Sequence, residues 1–310
     1  MERDTNLIKQ YIYTLGIPCV GIAPGTFSIP SYPQDICPLA AGEGDARYQP
    51  TTLLPSCQSV IVLLFPYYVK DPHPYNLSLY CRSIDYHTII HHYLNEVTCF
   101  LTQTYPHQDF LSIVDTAPLS DRYLAYLAGL GFIGDNNCFI NETYGSFCFI
   151  GSILTSLPLK PDHPQQRECF HCGACKRSCL GHCLDTAEYD YHLCKSYLTQ
   201  KKGELSPMEI QVIQKTPLVF GCDICQDVCP HNHDIPETPI KEFHQSRIAY
   251  LKKSDLQELS NRQFQQLYKN RAFSWRGKGI LLRNIQYLEE VQSNSEQRQN
   301  PNTKNETSHK

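Results

Sequence analysis

Residues 169–179 read Cys169-Phe-His-Cys172-Gly-Ala-Cys175-Lys-Arg-Ser-Cys179. The spacing is C-x2-C-x2-C-x3-C. In a two-cluster [4Fe–4S] protein the fourth cysteine of such a run ligates the other cluster, so a second run is required. It stands at Cys222-Asp-Ile-Cys225-Gln-Asp-Val-Cys229-Pro230. The crossing assigns Cys169, Cys172, Cys175 and Cys229 to one cluster. Cys179, Cys222 and Cys225 then supply three ligands to the other. Two cysteines lie between the runs. Cys183, four residues past Cys179, is expected to face away. Cys194, in Tyr191-His-Leu-Cys194-Lys-Ser-Tyr, stands where a helix is expected to begin and is taken as the fourth ligand. The competing reading is a tetrahedral zinc site on Cys172/Cys175 and Cys222/Cys225, which leaves Cys169, Cys179 and Cys229 without a role.

The rest of the chain narrows what this region serves. With 310 residues, 41% of them hydrophobic, it holds one large domain or two to three smaller ones. No apolar run approaches 18 residues, so no membrane span is expected. The first residues, Met1-Glu-Arg-Asp-Thr-Asn, are polar and lack an export signal, and a cytoplasmic location follows as an expectation. Sixteen cysteines then read as thiols and cluster ligands rather than disulfides. Cys19, Cys37, Cys57, Cys99, Cys138 and Cys148 are assigned no role and read as small apolar side chains. The net charge of −4 does not advertise nucleic-acid binding, although residues 241–290 carry ten Lys/Arg against five Asp/Glu.

Upstream, helix and strand signals alternate. A helix is expected near Leu7–Leu15, closed by Gly16, and a short strand over Pro18–Pro24. Gln58–Phe65 is a continuous β-branched run between prolines, as in a strand buried on both faces. Helical spacing spans Tyr86–Phe100, and Leu111–Asp115 reads as a strand. Ser120 caps a helix that Gly129 closes, and Phe147–Leu154 is a last strand. The fold class is an α/β (α+β) layer domain over residues 1–157, followed by a ferredoxin-like domain over 158–240. A basic helical segment over 241–290 and a polar, disordered tail over 291–310 complete the expected organisation.

Asp115 ends its strand among the apolar neighbours Val114, Ala117, Pro118 and Leu119. A desolvated carboxyl there would stay protonated near neutral pH and act as an acid. A turn aspartate satisfied by backbone N–H groups is the plainer alternative.

The string Val114-Asp-Thr-Ala-Pro-Leu-Ser-Asp-Arg122, with Ala128-Gly-Leu-Gly-Phe-Ile-Gly134 after it, resembles the epoxyqueuosine reductases. So do Tyr80-Cys-Arg-Ser-Ile-Asp-Tyr-His87, both cysteine runs, Cys194-Lys-Ser-Tyr-Leu-Thr199, and Leu282-Arg-Asn284 near the end. The resemblance covers about residues 5–290. Two departures stand out: Leu180 replaces the proline usual after the fourth cysteine, and Asp135 replaces a lysine. No helical-repeat extension like that of longer members is expected within these residues.

The resemblance implies reduction of the epoxide of epoxyqueuosine, at the wobble position of tRNA, to queuosine. It implies cobalamin and two [4Fe–4S] clusters; an external low-potential electron donor and a monomeric state are further expectations. Asp115 becomes the proton donor. Arg47, Arg82, Asp85, Tyr86 and Asp115 become candidate corrinoid contacts, with Cys222 and Asp223 where a cluster meets the corrinoid. Ser196, Lys201, Lys202, Arg276, Lys278 and Arg283 become candidate tRNA contacts, and phosphate contacts of this kind weaken steeply with salt. Trp275 is expected as a half-buried core residue. Two rivals remain: a corrinoid/iron–sulfur reductase of a small molecule, like a reductive dehalogenase, and a non-catalytic electron-transfer ferredoxin module.

Overall fold

The structure is a computed structural model describing residues 1–32, 35–185 and 189–299. The chain begins with helix α1 (Glu2–Thr14), which stops at Gly16 in a left-handed conformation. Strand β1 (Cys19–Pro24) pairs with β2 (Ser59–Pro66), the apolar run singled out in the sequence. All eight β2 residues are buried. β-Branched residues favour extended backbone, and each fully buried Val, Ile or Leu contributes about 1.5–3 kcal/mol by leaving water.

The two faces of β2 serve different layers. Ile61, Leu63 and Phe65 join the core beneath α1 and helix α2 (Tyr86–Thr104). Val60, Val62 and Leu64 join the opposite core. The period of two within an unbroken apolar run thus builds a three-layer unit. β3 (Phe110–Val114) is followed by α3 (Asp121–Leu127), which covers the second face. Gly21 makes this docking close, because a Cβ there would lie 2.1 Å from the Ala128 carbonyl oxygen. A two-strand hairpin, β4 (Phe132–Ile133) and β5 (Phe139–Ile140), leads to β6 (Cys148–Thr155). The sheet order is β1-β2-β6-β3, antiparallel at every pairing.

The cysteine-rich region is mostly loop, punctuated by the short helices α4 (Ala174–Ser178), α5 (Lys195–Leu198), α6 (Pro207–Gln214) and α7 (Ile224–Asp227). Leu180 packs with Leu198, Leu205, Val212 and Ile213, so the leucine in place of proline fills a small apolar cluster. The chain after 240 is not one long helix. It breaks into α8 (Ser254–Gln257), α9 (Asn261–Tyr268) and α10 (Lys278–Gln299). Leu256, Phe264, Phe273 and Leu281 from this segment bury Leu77, Val219 and Phe220. The tail expected to be disordered from residue 291 instead continues α10 to Gln299, and 300–310 lie outside the described residues.

Candidate active site and cluster sites

Asp115 follows β3 directly, with φ +49°, in the left-handed region that non-glycine residues rarely occupy. This turns its side chain into a cavity of 270 Å³ lined by Arg47, Tyr86, Asp121, Arg122, Cys148 and Phe149, among others. Tyr86 opens α2 and donates its hydroxyl to Asp115 Oδ2. Its ring stacks on Phe149, 4.1 Å between centroids, which fixes the hydroxyl's direction. His87 Nε2 stands 3.5 Å from the same carboxylate oxygen, and His87 Nδ1 lies 2.8 Å from Asp85 Oδ1. Asp85 is the N-cap of α2 and also accepts the His87 backbone N–H. It therefore orients the imidazole rather than lining the cavity.

The electrostatics differ from the desolvated acid expected at Asp115. Its side chain is 60% exposed. Burial by the surrounding walls raises its pKa, but the adjacent His87 imidazole and the hydrogen bond from the Tyr86 hydroxyl outweigh this and hold the carboxyl below the usual range. Burial lowers the His87 pKa, yet Asp115 and Asp85 override it and push it up to about 9. At neutral pH the pair's proton therefore sits on the imidazole. His87 was part of the quoted motif but not among the candidate site residues, because its two carboxylates are visible only in three dimensions.

A stability consequence follows. Unfolded histidine titrates near 6.5, well below the folded His87. The stabilisation from this pair is thus fully present below pH 6.5 and is lost as pH rises through about 9. The urea midpoint of wild type is expected to exceed that of His87→Asn at pH 6 and to converge with it by pH 9.5. A constant gap across that range would exclude the charged pair.

Arg82 does not reach the cavity. It is buried, donating to Leu77 O at 2.8 Å and Asp71 Oδ2 at 2.9 Å, with its guanidinium over the Tyr75 ring. Arg247 binds the same Asp71. This buried charge network welds the 71–82 loop to the C-terminal segment, so the corrinoid contact expected of Arg82 is replaced by a structural one. Arg47 does line the cavity, and its Nη1 donates to Ala41 O.

Cys169, Cys172, Cys175 and Cys229 line one apolar-walled recess, with Phe170 and His231. These are the four cysteines that the crossed pattern assigns together, and a thiolate set closing on one small space suits an iron–sulfur cluster. Asp135 also lines this recess, and His171 Nδ1 lies 2.9 Å from its carboxylate. The position that departs from the family's lysine thus faces the first cysteine set.

Around the second set, Cys194 has both Cys222 and Cys225 in its electrostatic neighbourhood. Cys183 is buried beside both Cys179 and Cys194, and their proximity raises its thiol pKa. Cys183 therefore faces inward, contrary to the sequence expectation. A tight turn with His182 at φ +58° reverses the chain, and the Cys183 backbone N–H reaches Cys179 Sγ at 3.3 Å. Cys138, assigned no role from sequence, donates its thiol to Asn136 O at 3.7 Å and has Cys225 as a neighbour that lowers its pKa. Asp223 is buried, accepts the Ser78 hydroxyl and the Leu79 backbone N–H at 2.7 Å, and so clamps the second run to the N-terminal layer.

A groove of 530 Å³ shares Ala40, Arg47, Ser120 and Arg122 with the Asp115 cavity. It runs past Tyr32, Tyr48, Tyr123 and Cys37 to Tyr189, whose hydroxyl pKa is raised by burial and by the neighbouring Cys194. Aromatic walls with two arginines suit a large, flat, amphipathic cofactor such as a corrinoid.

The candidate RNA contacts fall into two groups. Arg283 donates to the carbonyls of Leu198, Lys201 and Gly203, and Lys278 to Leu259 O. Lys201 is paired with Glu209. These three are engaged within the fold. Lys202 is exposed, Ser196 is half-buried, and Arg276 stacks at 3.7 Å over Trp275. Trp275 is not a core residue: it is 53% exposed and anchored by Nε1 to Gln200 Oε1 at 3.0 Å.

A family model described as "Epoxyqueuosine reductase QueG, DUF1730" matches residues 47–116, and a "4Fe-4S double cluster binding domain" matches residues 168–232. The epoxyqueuosine reductase of Staphylococcus aureus is 31% identical over 306 residues, covering 92% of this chain and 80% of that protein. That of Cyclobacterium marinum is 31% identical over 311 residues, covering 93% and 97%. A crystal structure of an epoxyqueuosine reductase with a tRNA-Tyr epoxyqueuosine-modified stem loop superposes with a TM-score of 0.82 at 25% identity, covering 92% of this chain and 80% of the other.

Proposed function

The chain belongs to the epoxyqueuosine reductase family, and from that membership we propose that it converts epoxyqueuosine in a tRNA anticodon to queuosine with Asp115 as the proton donor. As an oxidoreductase of this family it takes two [4Fe–4S] clusters and cobalamin. Cys169, Cys172, Cys175 and Cys229 hold the first cluster; Cys179, Cys194, Cys222 and Cys225 hold the second. The groove walled by Arg47, Arg122 and the tyrosines takes the corrinoid, which when bound supplies the low-valent cobalt that clusters alone lack.

The reaction removes one oxygen: two C–O bonds break, two electrons and two protons enter, and water leaves. Asp115 is placed to protonate the departing oxygen. It draws on the proton stored at His87, while Tyr86 fixes the carboxylate's rotamer. The observation that carries this reading is the continuity of the groove. It extends from the wall of the Asp115 cavity to Tyr189, a neighbour of Cys194. Proton source and electron source therefore meet in one space.

The unpaired bases of an anticodon loop are read by stacking and edge contacts. Trp275 with Arg276, together with exposed Lys202, forms a face suited to such a loop. A low-potential external donor supplies the electrons. Incubation of reconstituted protein with epoxyqueuosine-containing tRNA, cobalamin and a low-potential reductant is expected to yield queuosine on nucleoside analysis. Unchanged epoxyqueuosine would reject the function.

A further inference from the structure

The Asp115 cavity contains a second carboxyl. Asp121, on α3, lines the same walls, and its Oδ1 is buried without a hydrogen-bond partner among the described residues. A buried carboxylate oxygen with no donor is costly, whereas a protonated carboxyl in the same place carries its own donor. The groups facing it come from several elements. Asp115 lies on the loop after β3, Tyr86 on α2, Arg47 on the segment before β2, and Arg122 follows on its own helix. Burial and the Asp115 charge favour the protonated form; Arg122, Arg47 and the Asp115 backbone N–H favour the ionised one. The first two prevail and push the pKa up to about 7. Two carboxyls in one cavity with affinities pushed apart mark a division of labour between proton holders.

The reaction sets a need that one donor does not meet. Asp115, recharged from His87, supplies one proton per turnover. Water formation takes two. We infer that Asp121 is the second proton-bearing group of the cavity, furnishing the proton with which the opened epoxide oxygen leaves as water. This role rests on the proposed reaction. The electrons come from the low-potential donor through the clusters, and Asp121 regains its proton from solvent after product release.

The test uses Asp121→Asn, which keeps size and an acceptor oxygen, and Asp121→Glu. In cofactor-free protein, infrared titration is expected to show a carboxylic acid band that disappears as pH rises through about 7. The band should be missing from Asp121→Asn, whereas in Asp115→Asn it should persist but disappear at lower pH, because the Asp115 charge that favours the protonated form is gone. In holoenzyme, wild-type kcat is expected to fall as pH rises past the same point. Asp121→Asn should lower kcat on the order of 100-fold at pH 6.5 and lose that inflection, and Asp121→Glu should restore part of both. An unaltered band in Asp121→Asn, or an unaltered pH profile, overturns the inference. Wild type that makes no queuosine, while the band behaves as expected, overturns the parent reaction and with it the catalytic role, leaving only the carboxyl assignment.

Discussion

Asp115→Asn is expected to lower kcat by about 10²–10⁴-fold, the range lost when a positioned acid–base group is removed. Cluster and corrinoid spectra should be unchanged, and tRNA affinity should stay within a few-fold. Asparagine matches the carboxylate in size and still accepts the Tyr86 hydroxyl, so the turn and the stack on Phe149 survive. What disappears is the anion between His87 and the cavity. Asp115 contributes to holding His87 up at about 9. With only Asp85 left as its partner, the imidazole pKa falls. An NMR titration of His87 in the variant should therefore move toward the ordinary histidine range. That second readout separates lost chemistry from lost structure, because a misfolded loop would also release Tyr86. Retained turnover would remove Asp115 from the proton path.

The part of this site that could be read in advance is the part encoded locally. β2 was legible because eight buried residues in a row have no other stable home than the middle of a covered sheet. The grouping of Cys169, Cys172 and Cys175 with Cys229 at one recess was legible because thiolates of one cluster recur at fixed short spacings. The ionisation of Asp115 was not. Its apolar sequence neighbours suggested desolvation, but its state is set by Tyr86 and His87, nearly thirty residues earlier. Arg82 failed for the same reason: nothing beside it in sequence announces Asp71 or, through it, Arg247. Cys183 was misplaced because a single left-handed residue, His182, decides which way the thiol points. Asp121 lay within the quoted string, yet its burial depends on the far walls of the cavity.

The cysteine sets give the other large expected effect, and they separate ligands that sequence proximity would confuse. Cys229 belongs to the second run, but it lines the recess of Cys169, Cys172 and Cys175. Cys229→Ala is therefore expected to remove the cluster of the first run. Iron should fall from about eight to about four per chain, and the surviving cluster signal should be that of the Cys222/Cys225 site. Turnover driven by a protein donor should be lost, because the relay then has one station instead of two. Cys194→Ala should remove the other cluster and abolish turnover with any donor, since Tyr189 and the cofactor groove adjoin that site. Cys183→Ala provides the contrast. It is buried beside both Cys179 and Cys194, which we read as a position between two ligands rather than at a fourth corner. It should keep about eight irons. Hydrogen bonds to cluster sulfurs are among the factors that set the potential, so the second cluster's potential should drop in Cys183→Ala and recover in Cys183→Ser, which retains a donor. Four irons in Cys183→Ala together with eight in Cys194→Ala would exchange the two assignments, making the turn at His182 rather than the start of α5 the origin of the last ligand.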